Sequence, residues 1–237
     1  MPLYLQHIDV ATYGGWLASS QLLNWITIID PGTDEVIRQR AAHAFGRLDY
    51  LETGKVVGSG ITLNSIVALA ILIVGIALTF LMSGRFGLHG QAASDVTRAL
   101  LMMTVASALT TAAYSLGSPL LALQRAFQHG IVYVGGTLAA LIITVVLLHA
   151  GWGISSIPAG LLARALVWTG GWGLQLYNVT RCTRLLRLEF SLRYAREVRK
   201  LTVYTFLAKI CAAMQSSVDG VLIGSALGPV SAASYLL

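Results

Sequence analysis

Charged residues are scarce in this sequence: Asp, Glu, Lys and Arg together make up 11% of 237 residues, against 56% hydrophobic ones. Soluble domains carry about a quarter charged residues, so the deficit excludes an ordinary water-soluble fold. Cysteine is nearly absent, with Cys182 in a basic stretch and Cys211 in an apolar one. Neither has a C-x-x-C or metal-ligand neighbour, which excludes a disulfide framework and a zinc site. The opening Met1-Pro2-Leu3-Tyr4-Leu5 lacks the basic region, apolar run and small-residue cleavage site of a cleavable signal peptide. No cofactor or metal is implied.

What the chain has instead is long apolar runs, and the mean hydropathy is +0.72. A hydrocarbon core of ~30 Å needs about 20 apolar residues in a helix. That filter selects six segments, roughly 12–30, 57–82, 98–118, 130–149, 152–177 and 201–226. The first is stopped by Asp30-Pro31-Gly32, since proline and glycine discourage helix continuation. A mixed-charge connector follows to Lys55, with Asp34, Glu35, Arg38 and Arg40 expected to solvate and orient the helix end; substrate recruitment is the alternative. The fourth and fifth segments are joined only by Ala150-Gly151, which predicts a tight antiparallel hairpin with His149 and Trp152 at one membrane surface. Trp172 and Tyr177 are expected in the opposite interfacial belt.

The net charge of +6 would suit a nucleic-acid partner only if the basic residues formed one surface. They do not. Arg38, Arg40, Arg47, Lys55, Arg125 and the basic run at 181–200 fall on one side of an alternating topology, against Arg85 and Arg98 on the other. The positive-inside rule then places the basic connectors in the cytoplasm, and no nucleic acid is implied. In the 181–200 run, arginines interleave with Leu185, Leu188, Leu192 and Ala195, a pattern that suits an amphipathic helix on anionic lipid. The alternative is that these charges only fix topology.

Two basic residues remain inside predicted spans. Arg164 lies about 12 residues from either end of the fifth segment, ~18 Å by helical rise, beyond the reach of its own stem to either headgroup layer. A central arginine costs at least ~2.5–3.5 kcal/mol, so it should face protein, water or ligand. Either it binds a diphosphate through its paired donors, or it meets an intramolecular carbonyl or carboxylate. Lys209 lies about nine residues, ~13 Å, from the cytoplasmic end of the sixth segment, where it either snorkels or joins Arg164 in a cationic cavity. Asp219 is a candidate for ion coupling, or else caps a break at Gly220. Ala208, Ala212, Ser216, Gly220, Gly224 and Gly228 recur every fourth residue, a small-residue ridge for close helix packing, sliding or static. Pro158 is expected to interrupt the helix that carries Arg164.

An internal repeat is suggested by Leu5-Gln-His-Ile-Asp-Val-Ala-Thr-Tyr13 against Leu227-Gly-Pro-Val-Ser-Ala-Ala-Ser-Tyr235. Three further strings resemble a known family. Asp30-Pro-Gly32 leading to Gly46-Arg-Leu-Asp49 is similar to the connector after the second helix of Wzx-type polysaccharide-biosynthesis flippases. Leu123-Gln-Arg-Ala-Phe-Gln128 resembles the turn between their fourth and fifth helices. The stretch 216–235, with Asp219, Gly224, Gly228 and Tyr235, resembles the passage from their seventh helix to their eighth.

This resemblance, to the multidrug/oligosaccharidyl-lipid/polysaccharide superfamily, implies an all-α, MATE-like bundle. The chain would hold family helices two to seven and the start of helix eight, one lobe of a two-lobe transporter, and so be a fragment, with a non-functional truncated transporter as one alternative. It implies a lobe at 1–180 lacking its first helix, a basic connector at 181–200 and the start of a second lobe at 201–237. The implied activity is alternating-access translocation of a lipid-linked, polyprenyl-diphosphate oligosaccharide across a bacterial inner membrane for polysaccharide or O-antigen export. Membrane lipids and the glycosyltransferases and polymerase of the same pathway are the implied partners. A multidrug antiporter of the same superfamily is the alternative, but it would favour carboxylates in its cavity, and the central charge here is cationic. An enzyme is not expected, because His7, His43, His89, His129 and His149 are scattered and no aspartate-x-aspartate motif occurs. A purely structural membrane subunit would leave Arg164 unexplained.

Overall fold

A computed structural model describes residues 32–82, 91–182 and 187–227. All regular structure among them is helical: α1 Thr33–Gly46, α2 Tyr50–Met82, α3 Gln91–Ala122, α4 Ala126–His149, a 3₁₀ turn Gly153–Ser155, α5 Ser156–Cys182 and α6 Leu192–Leu227. Helix is what hydrocarbon demands, because each segment then satisfies its own backbone N–H and C=O groups. Among the described residues, three helices are long and apolar enough to cross a membrane, over Tyr50–Leu81, Ser94–Ala122 and Ala126–His149. This is the make-up of a membrane protein. The segment expected at 12–30, Asp30, Gly228, Tyr235 and nearly all of both repeat strings lie outside the described residues. α5 and α6 have the length to span; Arg164 dilutes the apolar character of α5, and most side chains of α6 from Lys209 onward lie outside the described residues.

α3 is the hub of the bundle and packs most extensively on α5 along one side and on α2 along another. α4 lies along α5, while α6 packs on α2 and α1. Among the described residues, the buried side chains form three clusters. Ile71, Val96, Leu100, Leu148 and Ile154 fill one end. Leu120, Trp168, Trp172 and Leu176 fill the centre of the α3–α5 contact. Ile37, Ala41, Val56 and Val57 close the other end. Across α2 and α3, the buried Asn64 donates from Nδ2 to the Thr111 carbonyl at 2.6 Å. Ile131, Val134, Leu138, Leu141, Ile142 and Val146 of α4 point outward, an apolar face suited to lipid.

Several expectations are corrected. The charged connector after Asp30 is not simple solvated chain, because α1 occupies most of it and buries Val36, Ile37, Ala41 and Ala44 against α2 and α3. Its charges pair locally, Glu35 with Arg38 at 2.6 Å, on the opposite exposed face. α2 starts at Tyr50, earlier than its apolar run, because the Asp49 side chain accepts from the Glu52 N–H at 2.8 Å and caps the helix. Pro158 does not interrupt a helix; it sits in the first turn of α5, where proline is tolerated. Trp172 is fully buried within the bundle, and Tyr177 is exposed. The basic stretch from Leu192 onward is the first part of α6, and its apolar residues Ala195 and Val198 are buried where α6 meets α1 and α2.

Short turns join consecutive helices. Leu123-Gln124-Arg125 joins α3 to α4 with Gln124 at φ 59°, and Arg47-Leu48-Asp49 joins α1 to α2 with Leu48 at φ 61°. The hairpin between α4 and α5 turns at Gly151, φ 80°, a left-handed geometry that glycine adopts without steric penalty.

Candidate functional site

The α4–α5 pair places Arg164, one of the charges that the sequence singled out. α5 runs from Ser156 to Cys182, so Arg164 lies only about two turns from its start and is not midway along its own helix, as the sequence suggested. Its depth is set by α4. The Arg164 carbonyl lies 3.4 Å from where a Cβ on Gly136 would stand, and Gly136 is near the middle of the apolar span Ala126–His149. The charge is therefore level with the centre of that span.

The helices approach closely because small residues line their contact. A side chain on Gly136 would run into the Trp168 ring, one on Gly160 into Thr144, and one on Gly171 into Val132. In the space that Gly136 leaves, Trp168 lies flat against Tyr133, ring centroids 5.0 Å apart and 16° from parallel. Its indole Nε1–H donates to the Tyr133 carbonyl at 3.2 Å. One turn on, Trp172 repeats the arrangement, stacking on His129 at 4.7 Å and donating to the His129 carbonyl at 3.2 Å. Trp168 and Trp172 stack on each other at 5.1 Å, and Tyr114 of α3 closes the group at 5.7 and 6.2 Å.

Arg164 ends this aromatic stack. Its guanidinium carbon stands 4.7 Å from the centroid of Trp168, which is only 2% exposed. The Arg164 Nε is buried and has no hydrogen-bond partner among the described residues. A desolvated cation–π contact contributes ~2 kcal/mol or more. An arginine at mid-span costs ~2.5–3.5 kcal/mol, and a buried donor left unmade another ~1–3. The ring therefore offsets part of the penalty.

No family model, curated protein or solved structure matches the chain. The site thus stands on its own geometry. Among the described residues no group of His, Cys, Asp or Glu is placed to hold a metal ion.

The other predicted residues are not gathered around Arg164. α6 packs on α2 and α1, not along α5, among the described residues. The backbone of α6 continues as helix through Gly220, so Asp219 caps no break there. The side chains of Lys209, Ser216 and Asp219 lie outside the described residues, so a joint role with Arg164 and an ion-coupling role are not addressed, and Gly220 and Gly224 are described only as helical backbone. Sequence reasoning missed Trp168 as the partner of Arg164. The signal was present, since Arg164, Trp168 and Trp172 follow at successive four-residue steps and share one helix face.

Proposed function

We propose that this chain is part of a transporter that moves a polyprenyl-diphosphate-linked oligosaccharide across a bacterial inner membrane, with Arg164 holding the diphosphate. The observation that carries the reading is a guanidinium level with the middle of an apolar span, stacked on a buried indole, with a buried donor unused among the described residues. Guanidinium suits this ligand because its planar fork pairs two N–H donors with two phosphate oxygens. The aromatic stack fixes one face of the group. A cationic site argues against the multidrug-antiporter reading, since organic cations would be repelled.

The reading also draws on the resemblance of the string from Asp30-Pro-Gly32 to Gly46-Arg-Leu-Asp49 to a connector of Wzx-type flippases, and of Leu123–Gln128 to one of their turns. Alternating access, export of polysaccharide or O-antigen, an ion-coupling role for Asp219 and a supporting role for Lys209 belong to the same proposal. So does the placement of the basic connectors in the cytoplasm.

The test is delivery of lipid-linked sugar to the outer leaflet by cells producing the protein, with expression matched. Arg164→Ala is expected to reduce delivery by about 10- to 100-fold, the equivalent of a charge-assisted contact of ~1.5–3 kcal/mol. Arg164→Lys, which keeps the charge but not the fork, should fall between. Unchanged delivery in Arg164→Ala would remove the diphosphate role.

A further inference from the structure

Residues 187–191, between α5 and α6, run without helix across the first turns of α2. They fit there because α2 offers Gly54 and Gly58, one turn apart on one face. A Cβ on Gly54 would overlap the Arg187 carbonyl oxygen, and one on Gly58 would lie 2.6 Å from that of Glu189. The contact is thus backbone against backbone, closer than any side chain at either position allows.

The next residue of α2 fastens the end of this segment. The Ser59 hydroxyl accepts from the Ser191 N–H at 2.9 Å and donates to the Ser191 carbonyl at 3.1 Å. That same carbonyl accepts from the Ala195 N–H at 2.9 Å, the opening bond of α6. Ser59 therefore holds the residue from which α6 starts. Nearby, Arg40 of α1 approaches Glu197 of α6 at 3.9 Å. Ala195, Val198 and Thr202 are buried, whereas Val203, Tyr204 and Leu207 are exposed.

We infer that 187–191 is a strap, seated in the Gly54–Gly58 notch and tied by Ser59, that pins the root of α6 to α2. Sliding α6 along α2 by even one residue would bring side chains flanking the glycines against the strap backbone and break both Ser59 bonds. Any movement of α6 is then a swing about Ser191, with the root staying in place. The strap rests on its own contacts and not on the transport reading.

Two measurements in native membranes test it. In a Cys182→Ser, Cys211→Ser background, which removes both exposed thiols, Ser59→Cys is combined with Ser191→Cys and oxidised mildly. Most chains should cross-link; cross-linking of only a minority would overturn the seat. Separately, trypsin should spare the Arg187 bond in the wild type, although its side chain is exposed, because the protease needs the backbone free. Gly58→Leu should expose that bond and bring its cleavage close to the rate in the unfolded chain. Protection in Gly58→Leu equal to the wild type would also overturn the inference.

The oxidised pair separates a pinned root from one that must let go. Sugar delivery equal to that of the reduced pair supports pinning, and loss that a reductant restores overturns it. No delivery by wild type and reduced pair alike would count against the transport reading, while the cross-link yield and the Arg187 cleavage would still decide the strap.

Discussion

Arg164 and Trp168 divide one problem between them. The indole lowers the cost of keeping a guanidinium among apolar side chains, and Gly136 makes room for the indole. The adjacent glycines of α4 provide an internal control. Gly136→Ala should lower the thermal midpoint of the detergent-solubilised protein by several degrees, from an overpacking cost of about 1–3 kcal/mol. Gly135→Ala, with nothing within 4 Å of the added carbon, should leave the midpoint unchanged or raise it slightly, because alanine favours helix by up to about 1 kcal/mol. Equal effects at the two positions would mean that α4 and α5 do not meet at Gly136. Arg164 itself was legible in the sequence because a charge inside an apolar run is conspicuous. Gly136 was not, since Gly135 and Gly136 are chemically alike until the partner helix is known.

At the scale of elements, the apolar runs at 57–82, 98–118 and 130–149 were readable because length and composition alone define a span. Their ends were not. Helices α2 and α3 extend beyond their apolar runs into polar residues, where Asp49 caps one and backbone bonding continues in the other. α1 was hidden because its charged residues obscured the spacing of Ile37, Ala41 and Ala44, which is helical. Pro158 was misread for a related reason. A proline inside an apolar run suggests a kink, yet the hairpin at Gly151 and Gly153 delays the start of α5 until Ser156. It follows that Pro158→Ala should change the thermal midpoint by no more than a degree or two. An interior kink of ~3 kcal/mol would give several degrees, so a shift of that size would contradict a first-turn position.

For the whole molecule, an uneven distribution of basic residues sets the expected orientation, with α1, the α3–α4 turn and the start of α6 facing the cytoplasm. Cys182, exposed at the end of α5, reports on this directly once Cys211 is replaced by serine. A membrane-impermeant thiol reagent should label it in inside-out vesicles and not in intact cells; the reverse pattern would invert the topology. A bundle built around α3, with α4 outermost and apolar on its free face, leaves Arg164 as the feature that simple membrane packing does not explain.

The most direct measurement of that feature is binding of a polyprenyl diphosphate to the purified protein, by native mass spectrometry, against the uncharged polyprenol of the same chain length. The diphosphate should bind more tightly than the alcohol, and Arg164→Ala should abolish most of that preference, a loss of about 10-fold or more. Equal binding of the two lipids by the wild type, or a preference that survives Arg164→Ala, would contradict a diphosphate site at Arg164.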